Sequence, residues 1–351
     1  MASAGKKTVW IDIYHIPQFN FYNTFIHLLN RNGYRILVTV LDRGRLKQIA
    51  FKELQGLENV RLYVIGKHRM KRWSVILEAN LIRLIWLFFW ALFKHIDISF
   101  SNGFQHGFVA KFKRFPAYSF HDDPQAGDHH LMNVFCTKDH SLLYELPDGF
   151  VLDKKDELMP TLKEWAYLSP KYFIPNKSVL QEYGVVAKEY LFLREVSVGT
   201  FNYAEQKLGA IMSIAHLIPD NKKVLFSLEE KSRRDMYPKD WILLQEPIND
   251  IHSLIYYSSG LVSSGDSMAR EAALLGVPSY YLGIRYTMPA NYAASRIANL
   301  QNQETMPISE WLKCLDCPKE QQIANQEQLR AELYGKFVDV NEYMYGLVRQ
   351  S

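Results

Sequence analysis

GLVSSGDSMAREAALLGVPSYYLG, residues Gly260 to Gly283, is the stretch whose reading decides the fold. A short apolar run, Leu261-Val262, enters the small polar cluster Ser263 to Ser267, and a helical pattern follows at once with Met268, Ala272 and Leu275 on one face. Gly276 marks the end of that helix, and Pro278 opens a second apolar run from Ser279 to Leu282. Strand, tight loop, helix and strand in this order make a βαβ crossover of a parallel sheet. In such sheets ligands approach the carboxyl ends of the strands, and backbone N–H groups at a helix start attract phosphate by hydrogen bonding and the helix dipole. Ser264, Gly265, Asp266 and Ser267 occupy that position, and Glu271, one turn into the helix, is placed to meet sugar hydroxyls beside the phosphates. The same residues also read as an ordinary helix start, with Asp266 or Ser267 as N-cap and Glu271 as a first-turn carboxylate.

The same rhythm runs outward from this unit. Thr8 to Tyr14 is a β-rich run, the pattern Phe21, Phe25, Leu28, Leu29 is helical, and Gly33 ends it. Tyr34 to Leu41 is almost continuously apolar, as suits a strand buried on both faces of a parallel sheet. A helix near Leu46 to Leu57 and strands at Val60 to Ile65, Asp97 to Ser101 and Pro116 to Phe120 continue the alternation, with weaker strand candidates at Val134 to Thr137 and Gly149 to Leu152. The rhythm lapses over 153–188, where Pro160, Pro170 and Pro175 fall among mixed polar residues, and it restarts at Tyr190 to Val196. A helix from about Tyr203 to Leu217, strands at Val224 to Leu228 and Trp241 to Leu244, and a helix at Ile251 to Tyr257 lead into the opening stretch. From about Glu320 the pattern is helical, with Ile323, Leu329, Leu333 and Phe337 as packing positions. The expected organisation is an α/β sheet domain over 1–160, a connection over 161–188, a second α/β sheet domain over 189–320 and a helical segment over 321–351.

A chain of 351 residues is long enough for two such domains, and its formal charge of +4 gives no electrostatic case for nucleic acid as a partner. Three cysteines, Cys136, Cys314 and Cys317, are too few for a disulfide framework and point to a cytoplasmic protein. The Cys314-Leu-Asp-Cys317 spacing lacks the second ligand pair of a zinc site. Residues 66–95 combine a basic lead with the most apolar and aromatic segment of the chain, but Glu78, Asn80 and Arg83 interrupt it well short of the roughly 20 residues that span a bilayer. It reads either as a helix packed on the sheet or as a peripheral contact with the inner face of a membrane.

Candidate acid–base residues lie in loops after the first domain's strands: His15 after the first, His106 in the glycine-bearing turn from Asn102 to Gly107, and Asp122 in the run His121-Asp122-Asp123-Pro124. Histidine suits proton transfer near neutral pH, so His15 stands first and Asp122 second. The alternative for each is a loop cap or a hydrogen bond to backbone. The His-Asp-Asp run and His129-His130 have metal-ligand residue types without a defined ligand spacing, and no metal site is expected.

The segments VWIDIYHIPQFNFYNTFIHLLNRNGYRILVTVLDRG, EWAYLSPKYFIPNKSVLQEYG, EYLFLREV and SSGDSMAREAALLGVP together resemble the prokaryotic domain-of-unknown-function 354 family. That family consists of GT-B-like proteins related in pattern to nucleotide-sugar glycosyltransferases and non-hydrolysing UDP-N-acetylglucosamine 2-epimerases. Nearly the whole chain takes part, and Glu164 to Tyr183 is its most specific piece. The resemblance implies a GT-B-like α/β fold, two Rossmann-like parallel-sheet domains facing a central cleft, with the nucleotide on the C-terminal one. It implies that Glu271 holds the ribose hydroxyls, that Ser264 to Ser267 form the phosphate loop and that Arg194 faces the phosphates, the alternative for Arg194 being an ion pair with Glu195 or a neighbour. Gly265-Asp266 departs from the paired glycines of many such loops, and Asp266 is expected to turn away and cap the helix.

These readings lead to a glycosyltransferase using a nucleotide-sugar donor, expected to be UDP-linked, and a glycan or lipid-linked acceptor, with no separate cofactor. A nucleotide-sugar 2-epimerase and a non-catalytic nucleotide-sugar-binding protein are the alternatives.

Overall fold

A computed structural model of the chain describes residues 6–67, 81–124, 129–198, 206, 208–245, 248, 250–293 and 296–351. It divides into two compact units, Met1–Tyr167 with Val338–Ser351, and Leu168–Phe337. The chain therefore passes from the first unit to the second once, within the expected connection, and the C-terminal helical segment is shared between them. Residues 68–80, the basic lead of the aromatic stretch, and the start of the helix expected from Tyr203 lie outside the described residues.

The first unit is built on seven parallel strands: β1 Thr8–Ile13, β2 Arg35–Asp42, β3 Val60–Lys67, β4 Ile98–Ser101, β5 Ala117–His121, β6 Lys138–Leu143 and β7 Asp156–Pro160. Their order is β3-β2-β1-β4-β5-β6-β7. All six residues of β1 are buried, as a strand covered on both faces requires. The helix Ile16–Arg31 has Pro17 in its first turn and buries Phe19, Phe21, Tyr22, Phe25, Ile26 and Leu29, a stripe at helical spacing. The terminal helix Val340–Gln350 completes the same core with Val340, Met344 and Val348. Asp339 caps it, accepting from the N–H groups of Asn341 and Glu342.

Six parallel strands form the second unit's sheet: β8 Tyr190–Glu195, β9 Lys223–Leu228, β10 Ile242–Leu243, β11 Gly260–Ser263, β12 Ser279–Tyr281 and β13 Leu300–Asn302, in the order β10-β9-β8-β11-β12-β13. The opening stretch is the predicted crossover: β11 and β12 pair in parallel from Leu261↔Ser279 to Ser263↔Tyr281, joined by the helix Asp266–Leu274. That helix ends in a left-handed Gly276 (φ 75°), whose N–H donates to Ala273 O while Val277 N–H donates to Ala272 O, a Schellman closure. A Cβ on Gly276 would stand 2.6 Å from the Gln326 carbonyl oxygen, so no other residue fits there without movement.

Several expectations need correction. Val134 and Phe135 lie at the end of the helix His129–Phe135, not in a strand, and Gly149 to Leu152 is irregular. The strands in that region are β6 and β7, where the inward-facing Asp139, Ser141 and Asp156 break the apolar alternation that Leu142 and Met159 would otherwise give. The helix Asp266–Leu274 is buried on nearly every side rather than along one stripe. In the helix Lys319–Lys336 Ile323 is exposed and the buried side chains are Gln322, Gln326, Arg330 and Leu333. These polar groups face backbone: Gln326 Nε2 donates to Leu275 O at 2.8 Å and Tyr256 O at 3.1 Å, satisfying carbonyls at two helix ends.

Candidate functional site

In each sheet the strand order reverses at one place, between β1 and β4 in the first and between β8 and β11 in the second, and a doubly wound sheet binds ligands at the carboxyl side of that reversal. The expected nucleotide residues lie at the second reversal. Ser263 pairs in register with Arg194 across β11 and β8. Ser264 N–H donates to Arg194 O and its Oγ accepts from Val196 N–H, both at 2.9 Å. Ser263 Oγ accepts from Gly265 N–H at 3.0 Å and donates to Gly265 O at 2.7 Å. Gln206 Nε2 donates to Ser264 O at 3.1 Å. Both serine side chains are fully buried and shape the loop, so the groups suited to an anion are the backbone amides of the following helix start.

The helix starts one residue earlier than a capping aspartate would require. Gly265 is the N-cap, in extended conformation and with no side-chain cap bond, and Asp266 is the first helical residue. Asp266 instead receives Arg270 NH1 on Oδ2 at 2.9 Å, both side chains being buried. The first-turn aspartate is thus balanced by a guanidinium one turn along. Ser267 is half-buried beside it.

Glu271 is buried one turn into the helix, and its Oε1 lies 3.3 Å from His252 Nε2 on the first turn of the helix Ile251–Tyr256. Burial alone would lower the His252 pKa, but the Glu271 carboxylate raises it above the usual histidine range. His252 lies beside the candidate site, and the sequence reading did not single it out. Nineteen positions separate it from Glu271, and no spacing rule joins a residue on one helix to a residue on the next. Arg194 is not directed at an open anion site: its fork spans Ser227 Oγ, at 2.7 Å, and the Glu229 carboxylate, an ion pair with a neighbour on the adjacent strand's loop.

In the first unit the three proposed acid–base residues lie in different surroundings. His15 is the N-cap residue of the helix Ile16–Arg31, with Nε2 2.8 Å from Arg43 NH1. A guanidinium only donates, so this nitrogen turns its lone pair to Arg43. Asp122 forms an ion pair with Lys163. His106 is a correction. It belongs to the first turn of the helix Gln105–Lys113 and is fully buried, with Nδ1 2.9 Å from Ser99 Oγ and Nε2 3.7 Å from Cys136 Sγ. Burial pushes its pKa down to about 4, as for a core imidazole, and no part of the residue reaches solvent. The first reversal point is itself filled: Tyr14 OH bonds Ser101 Oγ at 2.8 Å and packs over Gly103, where a Cβ would meet the hydroxyl at 2.1 Å.

The structure also gathers two histidines and two aspartates that the sequence reading kept apart, His121, His129, Asp139 and Asp156. Burial lowers the pKa of each histidine, yet the two carboxylates overcome it and carry His121 up to about 10 and His129 up to about 9. Burial opposes ionisation of Asp156, but the histidines and Ser141 pull it down to about 2.

No family model and no curated protein sequence matches the chain. Solved structures do. A glycotransferase of kitacinnamycin superimposes with a TM-score of 0.67 at 10% identity, covering 98% of each chain. The S. aureus MnaA–UDP co-structure gives 0.64 at 11% identity over 91% of this chain and 90% of that one. A UDP-N-acetylglucosamine 2-epimerase from Rickettsia bellii gives 0.61 at 11% identity over 97% and 98%. At such identities the likeness is one of fold. The chain has the GT-B-type architecture of two Rossmann-like α/β units, each on a parallel sheet.

Proposed function

We propose that the protein uses a nucleotide-diphosphate sugar, bound on the second unit at the β11–helix turn, and transfers the sugar to an acceptor. The observation that carries this reading is the buried Ser263–Gly265 loop at the strand-order reversal. It delivers a helix start with no side-chain cap beside the buried acid Glu271. Backbone amides at that start suit the diphosphate, and Glu271, steadied by His252, suits the ribose hydroxyls. A diphosphate within reach of Arg194 would compete with Glu229 for its guanidinium.

The acceptor is proposed to be amphiphilic, such as a lipid-linked glycan. On the helix Arg83–Leu92 and just beyond it, Trp86 is 61% and Phe93 85% exposed, with Ile85 and Phe89 also in solvent, an apolar face beyond what a solvated helix carries. No helix among the described residues is long and apolar enough to cross a membrane. His15 is the proposed base, acting once an acceptor hydroxyl replaces Arg43 at Nε2, with Asp122 as the second choice. Because epimerases and glycosyltransferases both appear among the structural neighbours, epimerisation of the same nucleotide sugar is the second reading.

A panel of UDP, GDP, CMP and dTDP sugars tests this. Ligand at 100 times its dissociation constant should stabilise the protein by about 2.7 kcal/mol, and no shift with any of them removes the donor site. Nucleotide released only with acceptor means transfer, an altered sugar on intact nucleotide means epimerisation, and binding without turnover leaves a sensor. His15→Ala should cut turnover on the order of 100-fold with an unchanged nucleotide shift. Equal turnover in that variant would move the role to Asp122.

A further inference from the structure

The His/Asp cluster of the first unit takes no part in the nucleotide reading. In the register of β5, β6 and β7, Ser119 pairs with Asp139, His121 with Ser141, and Asp139 with Asp156, so alternate residues of three neighbouring strands converge on one face. The helix His129–Phe135 packs against β6 and contributes its first residue, His129. Asp139 Oδ2 stands 3.3 Å from His121 Nε2 and 3.1 Å from His129 Nε2, and Asp156 Oδ2 stands 3.7 and 3.1 Å from the same two nitrogens. One ligand atom from each of the four lies within 4.8 Å of the others.

Two readings compete: a buried double ion pair, and a set of metal ligands. Charge-assisted N–H···O bonds settle at about 2.7–2.9 Å; all four contacts are longer, and His129 Nε2–Asp156 Oδ2 at 3.1 Å is the one with hydrogen-bond geometry. Metal–ligand distances of about 2.0–2.2 Å in a tetrahedron place the ligand atoms about 3.3–3.6 Å apart, and the four histidine–aspartate edges here run from 3.1 to 3.7 Å. A second observation agrees with this. Asp139 is wholly buried, and its Oδ2, turned toward both imidazoles, accepts no aligned hydrogen bond. The surrounding groups hold the two carboxylates as a metal's outer partners do, while His121 Nδ1 has no hydrogen-bond partner among the described residues. Ser119 Oγ and His140 N–H donate to Asp139 Oδ1 at 2.5 and 3.0 Å, Ser141 Oγ donates to Asp156 Oδ2 at 2.6 Å, and Asp153 lies 3.6 Å from His129 Nδ1.

We infer that His121, His129, Asp139 and Asp156 form a four-coordinate site for a divalent transition metal of the zinc class. Metal binding displaces the protons that the carboxylates hold on the two histidines, and the two neutral imidazoles and two carboxylates then carry a charge of −2, which a divalent ion cancels. Paired imidazoles disfavour magnesium and calcium, which take oxygen ligands. With four protein ligands the site is closed, so its role is structural: it ties the helix His129–Phe135 to the β5–β7 side of the sheet.

The test uses the tag-free full chain, stripped with chelator and dialysed against zinc or cobalt. One equivalent of zinc per chain, displaced by cobalt with the intense visible absorption of a tetrahedral ion, is expected. His129→Gln and Asp156→Asn should each weaken metal binding by more than the roughly 10- to 100-fold that loss of an outer partner costs, while the far-ultraviolet circular dichroism stays that of the parent. Folded parent chain holding well under one equivalent, a weak octahedral cobalt spectrum, or unchanged affinity in both folded variants would overturn the site. If neither variant folds, the stoichiometry and cobalt spectrum of the parent decide the question alone. Nucleotide thermal shifts do not depend on this outcome, so either reading can fail without the other.

Discussion

Each unit buries an arginine against an aspartate, and the two pairs are made in different ways. Asp12 on β1 and Arg83 on the helix Arg83–Leu92 are 71 positions apart and both fully buried. NH1 and NH2 grip the two carboxylate oxygens at 3.0 and 2.6 Å, Nε donates to Ile65 O, and Thr39 Oγ1 donates to Asp12 Oδ1 at 2.5 Å. Arg83 also lies over the Tyr14 ring, 4.8 Å from its centroid. Asp266 and Arg270 are four positions apart on one helix, joined at 2.9 Å. The long-range pair is enclosed and fixes how a helix seats on its sheet. The local pair sits at a helix start suited to anions, where it cancels the charge of a first-turn carboxylate. Similar chemistry therefore serves the fold in one unit and tunes a candidate ligand site in the other.

The largest effect should come from breaking the enclosed pair. Arg83→Met leaves Asp12 charged and buried, and should cost about 3–5 kcal/mol in urea unfolding, with much of the loss recovered when Asp12→Val is added. A loss of less than about 1 kcal/mol would erase the distinction drawn between the pairs. Arg270→Met should cost less, about 2–4 kcal/mol, because the helix dipole partly steadies the aspartate left behind. It should also weaken nucleotide binding, since Asp266 then repels phosphate. A stability loss equal to that of Arg83→Met with unaltered nucleotide affinity would make the local pair structural as well.

Next in size is Glu271→Gln, which should keep the fold and weaken nucleotide binding by roughly 1–3 kcal/mol, read by calorimetric titration. Equal affinity would return Glu271 to an ordinary helical carboxylate. The smallest effect is on pH dependence in the same variant. His252 is raised in the folded protein by Glu271, so its stabilising contribution is fully present below the unfolded value of about 6.5 and fades as pH rises through the folded value. The stability gap between parent and Glu271→Gln should therefore be wider at pH 6 than at pH 9. A gap that is flat or widens with pH would mean that the two side chains are not coupled.

The misread strands follow the same division between local and long-range order. β1, β2, β8 and β11 were legible because strands buried on both faces are written as apolar runs. β6, KDHSLL, and β7, DELMP, were not, because Asp139, Ser141 and Asp156 turn inward where apolar residues would be expected. A local pattern that fails where the polar residues gather is what a functional cluster produces. The Ser264–Glu271 turn, the candidate site, was readable for the opposite reason: its residues are contiguous and its geometry follows from one turn of helix.

By itself, the sequence determined the βα alternation, the crossover from Gly260 to Gly283 with its closure at Gly276, and the position of a helix start at a sheet's carboxyl edge. Each depends on residue type and on periods of two or 3.6, which are recorded over a few neighbouring positions. Only the tertiary structure decided that Arg83 meets Asp12, that Glu271 meets His252, that Arg194 pairs with Glu229 and that the last helix returns to the first unit. It alone brought His121 and His129 to Asp139 and Asp156. These contacts depend on strand order and register between segments that share no period, and a one-residue slip in β6 would turn Asp139 to the other face of the sheet.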